Sequence, residues 1–118
     1  MINRRLALLA LLACLAALLP GSTLANGGQV RIDRQRVGAY DVTVTSSPSP
    51  LRVGLVDISV LLQRPETDEP VLDARLLVMA EPLDGGDPIE HPATQDQATE
   101  PNYYAAEFEI PSEGTWRF

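Results

Sequence analysis

From Asn26 to Phe118 no stretch of the chain carries a helical period. Apolar side chains instead recur at every second position in short runs, each cut off by proline, glycine or a cluster of carboxylates. This restricts the fold more than any other feature, because period-2 alternation marks strands with one buried face, and such strands need a second layer to cover that face. Val30 and Ile32 alternate with Arg31 and Asp33, and Tyr40, Val42 and Val44 with Asp41, Thr43 and Thr45, which predicts two strands joined through "DRQR". Pro48 and Pro50 then interrupt the chain, since neither can donate to a ladder. Val56, Ile58, Val60 and Leu62 form the next apolar face, and Leu72, Ala74, Leu76, Val78 and Ala80 the one after. Residues 81–101 hold four prolines and two glycines and read as one long loop, the first candidate for a binding surface because compact domains seldom keep such loops without a use. Alternation returns with Tyr104, Ala106, Phe108 and Ile110 inward, and "GTWRF" starts another strand.

About six strands with turn signals between them predict an all-β domain, an antiparallel sandwich of the immunoglobulin-like kind. Such sandwiches normally have about seven strands. The count falls one short where Trp116 and Phe118 begin to alternate, so the expected fold lacks its last strand and the partner of "GTWRF" is expected to be missing. An edge left open in this way presents backbone donors and acceptors that can take a strand from another chain.

The first 25 residues read differently. Arg4 and Arg5 precede an apolar run of 14 residues from Leu6 to Leu19, and small residues follow up to Ala25. This is the layout of a secretory signal peptide, with cleavage after Ala25 and a mature domain over residues 26–118. The run is short of the roughly 20 residues that a membrane-spanning helix takes. A lipoprotein reading through Cys14 fits less well, because apolar residues continue past the cysteine. Cys14 is the only cysteine, so the mature domain is held together by burial without a disulfide. Removing the leader leaves 7 arginines against 16 carboxylates, a formal charge of −9, which disfavours nucleic acid and anionic lipid as partners.

The stretches "GAYDVTVTSSPSPLRVGLVDISVLLQRPETDEPVLDARLLV" and "HPATQDQATEPNYYAAEFEIPSEGTWRF" resemble the YtkA-like proteins, small exported bacterial β-sandwich domains distantly related to the FixH group. The resemblance runs from about Gly38 to the end and rests on the order of "SPSPLRVGLVDISVLLQ", "EPVLDA" and "YYAAEFEIPSEGTW". It implies an immunoglobulin-like fold and an envelope location, secreted or periplasmic. It also implies an association with copper, through FixH relatives linked to copper delivery to terminal oxidases. Members of the family generally continue into a further strand, so the resemblance implies a domain that is C-terminally truncated or completed by another chain.

Catalytic constellations are not apparent. Nucleophilic catalysis needs a base beside the nucleophile, and the mature chain has one histidine, His91, and no cysteine. Its carboxylates fall in turns or on outward strand positions, where nothing in the sequence gives one of a pair the raised pKa that a general acid requires. Copper is the cofactor the residues allow, with His91 and Met79, 12 positions apart, as candidate ligands beside a new amino terminus at Asn26. Two such ligands make a weak site, however, which favours a solvated loop histidine, a methionine filling a sheet surface and no cofactor. Asp84, Asp87 and Glu90 in "DGGDPIE" supply oxygens for calcium but not at EF-hand spacing, which favours a flexible acidic turn. Tyr103 is expected to be exposed, and Tyr104 and Trp116 to be in the core.

The sequence therefore predicts a non-enzymatic accessory or binding module of the cell envelope, for a metal or a membrane-protein partner. The alternatives are a structural or adhesive module without a ligand and a copper metallochaperone. For the exported protein, amino-terminal sequencing or intact mass from the extracytoplasmic fraction is expected to give Asn26 as the first residue. Retention of residues 1–25 in that fraction would overturn the leader reading.

Overall fold

The computed structural model describes residues 28–118, so the leader and the amino terminus expected at Asn26 lie outside the described residues. Seven strands form two antiparallel sheets: β1 (Gln29–Val37), β2 (Tyr40–Ser47), β3 (Gly54–Gln63), β4 (Leu76–Pro82), β5 (Ile89–Ala93), β6 (Tyr104–Ile110) and β7 (Trp116–Arg117). The first sheet has the order β1-β2-β3-β6 and the second β5-β4-β7. The chain crosses to the second sheet after β3 and returns at β6 to lie against β3. This is the immunoglobulin-like arrangement, with β2, β3 and β6 in the A, B and E positions and β4 and β7 in the C and F positions.

The inward faces of β3, β4 and β6 are those the alternation predicts, whereas of the first two strands only Val44 packs against the core, and Val30, Tyr40 and Leu72 are exposed. Val56 and Ile58 of β3, Val78 and Ala80 of β4, Ala93 of β5, and Tyr104, Ala106, Phe108 and Ile110 of β6 make one core, with Val44, Leu76, Ile89 and Trp116 packed against it. Ala80 and Ala106 are wholly buried. At such positions a methyl fills the gap between sheets, and a larger side chain would force them apart. One side of the sandwich is closed by reciprocal backbone bonds of 2.9 Å between Thr94 and Ala105, which tie the end of β5 to β6.

Three expectations are corrected. The "DRQR" segment is not a connection; β1 runs through it and turns only at Gly38. Register shifts at Ile32 and Gln35 absorb the irregularity, Arg34 adopts a positive φ of 46°, and its backbone N–H reaches Thr43 Oγ1 at 3.3 Å. Residues 81–101 are not one loop either, since β5 lies within them. Its alternation of Ile89, His91 and Ala93 with Glu90 and Pro92 is masked by a proline, which a strand tolerates at a sheet edge. The strand expected from Leu72 begins only at Leu76. One side of "GTWRF" pairs with β4, Trp116 opposite Pro82 and Arg117 opposite Glu81, and among the described residues no strand lies on its other side.

The late start of β4 has a visible cause. The Tyr104 hydroxyl, on buried β6, donates to Val71 O at 2.7 Å and accepts from Ala74 N–H at 3.1 Å. It thereby holds the connection between the sheets in a tight path that a strand could not follow. Tyr104→Phe keeps the ring and strands both backbone groups, an expected loss of about 2 kcal/mol and a fall in Tm on the order of 10 °C. Thermal unfolding by circular dichroism checks this, and a Tm within a degree or two of wild type would mean that the hydroxyl does not hold the crossover.

Candidate functional site

His91 and Met79 are brought to neighbouring strands but not to one another. His91 pairs with Val78, whereas Met79 pairs with Glu90. Directly opposed residues share a face and successive residues alternate, so His91 points into the sandwich and Met79 out of it. The His91 ring stacks on Phe108 of the other sheet, with centroids 5.8 Å apart and planes at 20°. Its Nδ1 lies 2.9 Å from Pro92 O, and since a carbonyl only accepts, Nδ1 carries the proton. Met79 is 44% exposed on the opposite face. Among the described residues no group of three His, Cys, Asp or Glu side chains could hold a metal ion. In the acidic turn, Asp84 Oδ1 accepts from Gly86 N–H at 3.2 Å, closing a local turn, while Glu90 belongs to β5.

A groove with an apolar lining lies instead beside β7. It measures about 570 Å³ and is lined by Leu51, Arg52, Val53, Ile110, Trp116 and Phe118 together with the turn at residues 112–115. Trp116 is half-buried, and its Nε1–H donates to Ser112 O at 3.1 Å, fixing the indole as one wall. Phe118 sits near Phe108, at a centroid distance of 6.3 Å. Leu83 N–H bonds Thr115 O at 2.9 Å. In an antiparallel ladder the residues that exchange bonds alternate with those that do not. Thr115 and Arg117 therefore face β4, and the Trp116 N–H and C=O point the other way. No strand lies beside that edge among the described residues. Leu51 and Val53 lie between Pro50 and the start of β3, outside any strand.

The densest charge cluster sits at the other end of the molecule. Arg34 Nε reaches Asp41 Oδ2 at 3.0 Å and Arg36 Nε reaches Asp41 Oδ1 at 2.9 Å, while the far nitrogen of Arg34 pairs with Asp68. Asp41 is 13% exposed and accepts from both guanidinium groups. Arg36 first, then Arg34, hold its carboxyl below the ordinary value of 3.8. Asp68 and Asp41 in turn raise Arg34 above its ordinary range. The cluster fastens the β1–β2 hairpin to the loop after β3. Its role is structural, because Asp41 is occupied on both oxygens and leaves neither free for chemistry.

A family model described as YtkA-like matches residues 34–118 of the chain. No curated protein and no solved structure matches.

The folded-state pKa of Asp41 lies below its unfolded value, so its contribution to stability is complete above about pH 4 and is lost as the pH falls through the folded-state value. Asp41→Asn is expected to melt below wild type at neutral pH, with the gap between the two closing below pH 3.8. Thermal scans between pH 7 and 2 test this. A gap of constant size would assign the loss to packing and not to charge.

Proposed function

The chain belongs to the YtkA-like family, and from that membership and the open side of its sandwich we propose that it is an exported, non-enzymatic accessory module of the bacterial cell envelope that docks an extended segment of a protein partner. The observation that carries this reading is the conjunction at β7 of unpaired backbone groups with an apolar seat. Trp116 offers a donor and an acceptor along the free edge, and Leu51, Val53, Ile110 and Phe118 line the adjoining groove. An added strand needs both, because main-chain bonds supply affinity and the groove selects side chains at alternate positions. By contrast β1, also an edge, is interrupted by register shifts and carries Arg31, Asp33, Arg34 and Arg36, which discourage pairing. The copper reading receives less support, since His91 and Met79 occupy opposite faces of β5 and β4.

A photo-crosslinking residue at Val53, 47% exposed in the groove, tests this in cells producing the full chain. It is expected to give a discrete adduct that Phe118→Glu abolishes and that a crosslinker at Glu66, in the loop after β3, does not give. Adducts insensitive to Phe118→Glu, or equal at both positions, would overturn the groove reading. In parallel, one equivalent of copper is expected to leave Tm unchanged. An upward shift that His91→Ala removes would favour the metallochaperone instead, because only a ligand of the folded state raises apparent stability.

A further inference from the structure

The outer face of the second sheet carries an apolar pair at the middle of β4, where a solvated strand would be polar. Leu77 and Met79 point outward from β4 at 57% and 44% exposure, and on β5 the same face carries Pro92 opposite Leu77 and Glu90 opposite Met79. The same alternation places charges at both ends of this stripe. Exposed Arg75, one residue before β4, has no ion pair among the described residues, and Glu81 meets only Arg117, at 4.0 Å. The outward residues therefore read Arg75, Leu77, Met79, Glu81, opposite charges equally spaced about Val78. We propose that this face is a contact between two copies of the chain, packed sheet on sheet with their β4 strands antiparallel.

The charge pattern selects both the occupant and its direction. A two-fold axis lying in the interface, across the strands at Val78, sets Leu77 on Met79 of the second copy and Arg75 on its Glu81, twice over. A parallel arrangement would set Arg75 on Arg75 and Glu81 on Glu81 and is repelled. This is the self-complementarity that an isologous contact requires, at the aligned geometry in which sheets stack about 10 Å apart. Glu81 would then lie between two guanidinium groups, its own Arg117 and the second copy's Arg75. An anionic lipid surface is a poorer occupant, because Glu90 lies beside Met79 on the face and Glu81 at its end. Strands of seven, five and two residues, about 4.8 Å apart, cover roughly 220 Å², against about 800 Å² per partner in a stable complex. Two acidic bodies also repel until salt screens them beyond about 8 Å. The dimer is accordingly weak and forms at high protein concentration.

Sedimentation velocity on the purified protein from about 10 µM to 1 mM, which spans weak dissociation constants, reads the proposal directly. The weight-average mass of wild type is expected to climb toward that of a dimer, and Met79→Lys is expected to stay monomeric. Arg75→Glu alone and Glu81→Arg alone should each remain monomeric at concentrations where wild type associates. An equimolar mixture of the two should associate again, because each copy then supplies the charge the other needs. Monomer mass for wild type at every concentration would overturn the proposal, as would a mixture no better than its components. Assembly beyond the dimer, or assembly indifferent to Met79→Lys, would assign association to strand edges and overturn it as well.

Discussion

The hydroxyl of Tyr104 governs where the second sheet begins. It stands on β6, in the first sheet, and binds the carbonyl of Val71 and the amide of Ala74, both in the segment that carries the chain across. The segment is thereby spent on a turn, and β4 starts at Leu76. Because strand faces alternate, a shift of one residue in that start would exchange inside and outside along all of β4. Val78 and Ala80 would leave the core, and Leu77 and Met79 would enter it. One buried polar side chain thus determines both the packing between sheets and the character of the outer surface. The register it sets is passed to β5 and β7 by ladder pairing, which in turn directs His91 onto Phe108 and Met79 away from it.

Much of the architecture was legible because burial on one face leaves a period of two in the sequence. Val56, Ile58, Tyr104, Ala106, Phe108 and Ile110 all take the side that alternation assigns. The features that escaped are those for which local pattern carries no information. β5 is five residues long and includes Pro92, so the signals of strand and loop overlap there. The start of β4 depends on a bond between residues about thirty positions apart. The Arg34–Asp68 pair likewise joins positions 34 residues apart, and no spacing rule could have matched them.

The candidate metal pair illustrates the same limit. His91 and Met79 are near in sequence and are on adjacent strands, which is the most that spacing could promise. Whether they share a face is a question of parity across a ladder, and the register Val78–His91, Met79–Glu90 separates them. A different clue was present in the sequence: Leu76, Leu77, Val78, Met79 and Ala80 form an unbroken apolar run. In an antiparallel sheet with one wet side, alternation is expected, so a continuous run signals a strand whose outer face is also meant to be covered.

The molecule treats its exposed β-surfaces unequally, and the contrast argues that the unprotected ones are used. β1 has the length to recruit other strands, nine residues at the edge of a sheet, yet it is bent by two register shifts and studded with paired arginines. That protection has a stability cost, since strained backbone at Arg34 must be held by the ion pairs around Asp41. The edge of β7 and the outer face of β4 carry no comparable device. They are also geometrically independent. A strand added at Trp116 extends the second sheet sideways, whereas a second copy over Leu77 and Met79 stacks on its face. Occupation of one leaves the other open, so a weak dimer could present two partner-binding edges at once. In that arrangement an extended partner meeting both edges would gain from effective concentration what each small contact lacks in area.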